Sequence, residues 1–276
     1  MREKFNRGLS GCSLILLSNT IIRKSCDDHY VKRLVNQAKK QQYFSNYNFT
    51  TIDVPKVVSI SDNYFDMDYI PAKTFDTFFE ICSTDQVHFI LNSLYEYFDF
   101  LIQNKKTFKG KEFQKKVNDK ILSLDIFDKN FKNFLLDYEY DFSNIPKSFC
   151  HGDLTFSNIL FNGKRVYYID FLDSFVNSFL IDLVKLKQDL YYFWSIKINN
   201  KKSLRLYQIK RYIWKMISLR YSSYINSNLF DLLDVINLFR IRPYLTNKDH
   251  DIILDRLIKS TSIYEKFNCA YGGKII

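Results

Sequence analysis

The sequence predicts an α+β protein of two lobes: a small β-rich N-terminal lobe with one main helix, residues 1–70, and a larger, mostly α-helical lobe, residues 71–276. Three observations carry that prediction. Short apolar runs alternate with turn signals up to residue 70, helical periodicity dominates after it, and Pro71 stands at the change.

In the first lobe, Leu14–Leu17, Thr20–Ile22, Val54–Ser59 and Tyr64–Tyr69 read as strands, punctuated by Ser18-Asn19 and Ser61-Asp62-Asn63. One helix interrupts them, Asp28–Phe44, in which Val31, Leu34, Val35 and Ala38 recur at helical spacing. In the second lobe the spacing predicts helices over 76–104, 111–137, 180–197, 203–224, 229–240 and 248–267. Among them sits one hairpin. Ser157–Phe161 and Lys164–Ile169 flank Asn162-Gly163, a pair that tolerates the positive φ of a type I′ turn. A hairpin brings its open ends together, so Asn158 and Asp170 should lie side by side.

Composition bounds the function. With 46% apolar residues the 276-residue chain can bury a core, which excludes wholesale disorder. No run approaches the ~18 apolar residues of a membrane helix, and Met1–Arg7 does not open a signal peptide. Five scattered cysteines, never in a C-x-x-C pair, argue against a disulfide framework or zinc site and for a reducing, cytoplasmic setting. The net charge of +10 is spread along the chain, densest over Lys105–Lys120. It fits a basic surface or steering of anionic small molecules better than nucleic-acid binding. The 26 Phe and 20 Tyr fit nucleotide bias in a genome as well as they fit a stacking surface.

The chemistry concentrates around the hairpin. His151-Gly152-Asp153-Leu154-Thr155-Phe156-Ser157-Asn158 precedes it, and Ile169-Asp170-Phe171-Leu172-Asp173 follows. Two carboxylates and an amide therefore converge. Such oxygen donors suit a hard cation such as Mg²⁺, and a remaining carboxylate can accept the proton of an attacking hydroxyl.

The pattern His-Gly-Asp-x-x-x-x-Asn with a following Ile-Asp-Phe-x-Asp resembles the aminoglycoside phosphotransferase and choline kinase group of the protein-kinase-like fold. The resemblance implies a bilobal kinase fold, ATP and Mg²⁺ as cofactors, and a catalytic loop over 151–158 with the metal-binding stretch at 170–173. It implies Asp153 as the base and Asn158 and Asp170 as metal ligands, with His151 propping the loop and Asp182 bracing it. Gly8, Ser10, Gly11 and Ser13 look like the loop over the ATP phosphates. Arg23 aligns with the basic residue that contacts those phosphates, with Lys24 as the other candidate. Gln37 stands where a Glu is expected to pair with that base. Residues 66–71 look like the hinge, with Met67, Asp68, Tyr69 and Ile70 at the adenine edge, and Ala72 replaces the usual Gly. Asp173 fits the metal's water shell, the acceptor or a helix cap.

The acceptor side rests on Gln188, Asp189, Tyr191, Tyr192 and Trp194, which could hold sugar hydroxyls or a choline-like cation. A polar helix face packed in the core accounts for the same letters. No A-P-E sequence of a protein kinase follows the hairpin. The resemblance thus implies transfer of the ATP γ-phosphate to a small-molecule hydroxyl: a sugar, an amino alcohol such as choline, or a surface-glycan precursor. No nucleic-acid partner and no membrane insertion are expected. The sequence does not separate ATP from GTP as donor, and the alternative is a non-catalytic, kinase-like nucleotide-binding protein.

Overall fold

The computed structural model describes residues 4–5, 12–126, 128–141, 144–198, 203–245 and 247–271. Its contacts divide the chain into two compact units, 1–100 with 151–174, and 101–150 with 175–276.

The first unit holds two sheets. Strands β1 (Lys4–Phe5), β2 (Cys12–Leu16), β3 (Ile21–Cys26), β5 (Val57–Ile60) and β6 (Tyr64–Asp68) form an antiparallel sheet in the order β1-β2-β3-β6-β5. Helix α1 (Val31–Ser45) packs on it. The short apolar runs foreseen from the sequence fall in this sheet, and β3, β5 and β6 pack on that helix. Cys12, Ile22, Leu34, Ala38, Phe65 and Met67 close that core. Beyond it, Phe44 stacks on Phe171 with ring centroids 5.0 Å apart, and Tyr97 meets Tyr168 edge-on at 5.1 Å.

Of the second sheet only the central hairpin was foreseen, not the strands at its edges. Strands β4 (Ile52–Asp53), β7 (Lys73–Thr74), β10 (Ile159–Phe161) and β11 (Val166–Tyr168) run in the order β4-β11-β10-β7, with β4 parallel to β11. Two-residue strands carry no alternation to read. Arg165 supplies what they lack: its Nε and Nη2 donate to the Asp53 carboxylate at 2.7 and 2.8 Å, and its guanidinium also reaches the carbonyls of Phe49, Thr50 and Ile52. A planar fork with five donors suits that convergence.

The long helices foreseen after residue 70 break where caps intervene. Over 76–104 the chain forms α2 (Phe75–Phe78) and α3 (Thr84–Gln103). Between them Ser83 Oγ accepts from the Gln86 N–H while Gln86 Oε1 accepts from the Ser83 N–H, a reciprocal N-terminal box. In the second unit, 111–137 splits into α4 (Gly110–Ser123) and α5 (Lys129–Leu136), because the Asp128 carboxylate caps the second helix through the N–H groups of Asn130 and Phe131. The remaining helices are α6 (Phe179–Leu190), α7 (Trp194–Ile198), α8 (Leu204–Arg220), α9 (Ser222–Ile225), α10 (Asn228–Phe239), α11 (Lys248–Lys259) and α12 (Ser262–Tyr271). A two-rung ladder of β8 (Lys106–Thr107) and β9 (Pro146–Lys147) completes this unit. Helix α6 is its core element, buried along almost its whole length against α8 and α10. Among the described residues no helix is long and apolar enough to cross a membrane.

Candidate active site

The hairpin sets the geometry. Ile159 pairs with Tyr168 and Phe161 with Val166, so the connection spans 162–165 rather than two residues. The expected type I′ turn is not what forms. Only Gly163 takes a positive φ (+94°), and the Asn162 side chain closes the loop instead, its Oδ1 accepting from the Lys164 and Arg165 N–H groups at 3.0 and 2.9 Å. An Asn side chain mimicking a backbone turn wins over left-handed backbone at its own position. At the open end the Ile169 N–H donates to the Asn158 carbonyl at 3.0 Å, which sets Asn158 beside the chain entering Asp170.

Asp153 and Asn158 are bound to each other. The Asn158 Nδ2 donates to the Asp153 carbonyl at 2.8 Å and to its Oδ2 at 3.0 Å. The carboxylate is thereby aimed by an amide that keeps its own oxygen for another partner. His151, fully buried, links this loop to the next. Its Nε2 donates to the Ile169 carbonyl at 2.8 Å, while Nδ1 accepts from the Asp153 N–H at 3.3 Å, which fixes the neutral tautomer. The Leu172 N–H closes the link by donating to the His151 carbonyl at 2.8 Å. Gly152 (φ +88°) is required here, since a Cβ on it would lie 2.1 Å from the Leu172 carbonyl oxygen. Asp170 adopts φ +62°, in the left-handed region that Asp enters more readily than most non-glycine residues.

Burial pushes the His151 imidazole down to about 4, with the Lys40 charge adding and the Asp153 charge opposing. Below pH 6.5 the unfolded chain therefore takes up a proton that the fold refuses. We expect the unfolding free energy to drop by about 3 kcal/mol between pH 6.5 and pH 4 from this group. Denaturant titrations stepped through that range should show a steeper fall in the wild type than in His151→Gln, and equal slopes would contradict the assignment.

Arg23 and Lys24 face different ways on β3. Arg23 is committed to Asp66, Nε to Oδ1 at 2.7 Å and Nη2 to Oδ2 at 2.9 Å, and lies 3.7 Å over the Tyr64 ring. That guanidinium holds the Asp66 carboxyl below the usual range. Lys24 is buried, and its Nζ donates to Gln37 Oε1 at 2.8 Å and to Asp170 Oδ1 at 2.5 Å. The Glu expected on the helix is thus replaced by a hydrogen bond to Gln37, and the charge partner of Lys24 is Asp170. Helix α1 reaches the same segment twice more: Asn36 Nδ2 donates to the exposed Asp173 at 2.7 Å, and Lys40 Nζ donates to the Leu172 carbonyl at 2.5 Å. Sequence reasoning did not single out Asn36 or Lys40. Their spacing with Gln37 on one helix was visible, but their targets, 137 and 132 residues away, were not.

Of the other expected positions, Gly8, Ser10 and Gly11 lie outside the described residues, and Ser13 Oγ bonds Ser25 Oγ at 2.9 Å. Met67 is packed in the sheet core. The N–H groups of Asp68 and Tyr69 donate to the carbonyls of Lys56 and Thr20, and the Ile70 carbonyl accepts from Ala72. In the second unit, Gln188, Asp189 and Tyr192 are all buried and bound to chain neighbours. Asp189 accepts from Lys210 Nζ at 2.8 Å and from Ser195 Oγ at 2.5 Å. Tyr192 Oη donates to Asp234 at 2.6 Å, and Gln188 accepts from Asn237 and Lys185. Asp182 is fully buried in the first turn of α6. Tyr191 is exposed, and Trp194 opens α7.

No curated protein matches the sequence. A family model described as a phosphotransferase enzyme family matches residues 116–212, the stretch that holds the loop and the hairpin. The aminoglycoside 2'-phosphotransferase-IIIa solved with GDP is 13% identical, with a TM-score of 0.59 over 93% of this chain and 91% of that one. The chain has the aminoglycoside phosphotransferase fold. A glucosamine kinase solved with glucosamine, ADP and inorganic phosphate superposes at 10% identity, TM-score 0.58, over 98% of this chain and 81% of that one. A protein described as a fructosamine-3-kinase of Haemophilus somnus does so at 13% identity, TM-score 0.60, over 94% and 90%. The aminoglycoside phosphotransferase fold is protein-kinase-like, which agrees with the motif resemblance.

The donor set suits a hard divalent cation. Asn158 commits its nitrogen to Asp153, leaving its oxygen for a cation, and Asp170 commits Oδ1 to Lys24, leaving Oδ2. Oxygen ligands with no thiolate or imidazole favour Mg²⁺ over zinc.

Proposed function

We propose that this protein is a Mg²⁺–ATP-dependent phosphotransferase acting on a hydroxyl of a small molecule, a sugar or amino sugar before an amino alcohol such as choline. The observation that carries the reading is two hydrogen-bonded pairs, Asp153–Asn158 and Lys24–Asp170, at the open end of one hairpin, where the Ile169 N–H donates to the Asn158 carbonyl. In this reading residues 1–70 form the nucleotide lobe, with Gly8–Ser13 over the phosphates and 66–71 as the hinge. Residues 71–276 form the acceptor lobe. Asn158 and Asp170 hold Mg²⁺, which when bound neutralises charge on the transferring phosphoryl group.

Lys24 is the better phosphate contact, because its partner Asp170 ties it to the segment after the hairpin, whereas Asp66 holds Arg23 on the sheet. Its bond to Asp170 keeps the ammonium in place until a phosphate oxygen competes for it. Asp153, aimed by Asn158, accepts the acceptor's hydroxyl hydrogen bond and takes its proton late in the displacement. Gln37 orients Lys24 without adding a charge of its own, so Asp170 is the one carboxylate a phosphate must compete with for the ammonium. The sugar and amino-sugar kinases of the same fold favour a sugar-like acceptor, and a cytoplasmic setting would supply the nucleotide.

Phosphorus-31 NMR of the full chain with Mg²⁺–ATP, or Mg²⁺–GTP, and pooled sugars, amino sugars and amino alcohols tests this. A new phosphoester resonance that grows with the nucleoside diphosphate supports the reading. Nucleotide binding in calorimetry without turnover on any pool would overturn it in favour of a kinase-like binding protein.

A further inference from the structure

The charge is divided unevenly between the two units. Residues 1–100 with 151–174 carry 13 Lys and Arg against 15 Asp and Glu, a net of −2; residues 101–150 with 175–276 carry 27 against 15, a net of +12. A genome-wide bias toward lysine codons would raise both tallies. The excess is therefore a property of the helical unit, and its densest part is the entry to α4. Residues 105–116 hold six lysines and one acid, Glu112.

The fold adds a seventh cation to that stretch. Lys147 on β9 is directly opposite Lys106 on β8, and both are exposed. Like charges facing each other across a ladder destabilise it, and this ladder has only two rungs with which to compensate. Lys147 Nζ also lies 5.1 Å from the Phe108 ring centre and Lys116 Nζ 5.7 Å from the same centre, so both ammoniums gather at one ring. The Glu112 carboxyl is held below its usual range first by Lys116, then by Lys147 and Lys109, which shows how closely the cations converge on the single acid. A ladder that sets lysines against each other and a helix that adds more form a surface with a charge to match.

Which anion it matches follows from the residue types. All the cations of residues 101–150 are lysines. Reading of bases or bidentate clamping of one phosphate calls for Arg, whereas lysine serves as a point charge for an array of anions. Two large apolar side chains open to solvent lie in or just after the same elements of the chain: Phe149, 47% exposed, two residues after Lys147, and Leu122, 58% exposed, near the end of α4. Lysines that reach headgroups beside apolar side chains at the acyl boundary are the chemistry of a peripheral membrane surface. We propose that the β8–β9 ladder and α4 form a docking surface for an anionic lipid bilayer.

Co-sedimentation of the full chain tests this without reference to its activity. Vesicles of phosphatidylcholine with about one-third phosphatidylglycerol should bind it at 0.1 M salt, with binding lost by 0.5 M as the charges are screened; pure phosphatidylcholine should not. Lys106→Gln/Lys147→Gln and the single Lys147→Glu should each weaken binding at least fivefold. Lys147→Glu also converts the repulsive rung into an attractive one, so its thermal midpoint should hold or rise. A misfolded variant would do the reverse. Equal binding to neutral vesicles, unchanged binding by both variants, or capture of duplex DNA under conditions where vesicles are ignored would each overturn the proposal.

Discussion

Asp153→Asn is expected to reduce phosphoryl transfer by about 10³-fold or more while leaving nucleotide affinity nearly intact. The expectation follows from what surrounds the carboxylate. Asn158 donates to Oδ2 and to the Asp153 carbonyl, and Thr155 donates to that carbonyl as well. Asn in place of Asp keeps size and most of these contacts but removes the charge that would take a hydroxyl proton, a contribution of about 10²–10⁴ in rate for a general base. Asp170 stands apart in role, because its carboxylate is the ion-pair partner of Lys24. Asp170→Ala should abolish Mg²⁺-dependent nucleotide binding itself, read by calorimetry with and without the metal. The two variants therefore separate: one binds and does not turn over, the other does not bind. Full activity in Asp153→Asn would remove Asp153 from the chemistry, and intact nucleotide binding in Asp170→Ala would remove Asp170 from the metal site.

How far this site could be read beforehand depends on whether each contact is local in sequence. Asn158 and Asp170 were expected side by side from Asn-Gly between two apolar runs; a strict two-residue turn would set Asn158 opposite Tyr167, and it is the longer connection, with Ile159 on Tyr168, that brings it opposite Ile169. The partner of Lys24 could not be read in the same way. Neighbouring residues of a strand face opposite sides, so one of Arg23 and Lys24 had to turn away from the helix. Choosing between them needed Asp66 and Asp170, which lie 43 and 146 residues from their partners. The outer strands of the second sheet escaped for another reason. They are two residues long and owe their place to one arginine, which no periodicity encodes. Helices were visible as apolar stripes, but the stripe continues through a cap, so Ser83 and Asp128 broke what the period alone would join.

Lys210→Met should destabilise the second unit by about 3–5 kcal/mol, the largest structural effect we expect of a single side chain. Lys210 is fully buried, and its ammonium meets Asp189, 2% exposed, at 2.8 Å, with Ser195 Oγ at 2.8 Å completing a triangle between α6, α7 and α8. Methionine fills much the same volume, so packing loss is small and the cost is that of a buried carboxylate without its cation. On a unit of this size that corresponds to a thermal midpoint about 10 °C lower. Replacing both partners, as Lys210→Met/Asp189→Leu, should recover most of the loss, since a buried pair exchanged for apolar side chains of similar volume is often neutral. The same pair decides what Asp189 does. An acceptor-binding carboxylate would make Asp189→Asn raise KM for the acceptor with the midpoint unchanged. A carboxylate committed to Lys210 makes that variant lower the midpoint and leave KM alone, which is the outcome this geometry favours. With Asp189 spent on Lys210 and Asp234 spent on Lys187 and Tyr192, the buried acids of α6 and α10 serve the fold.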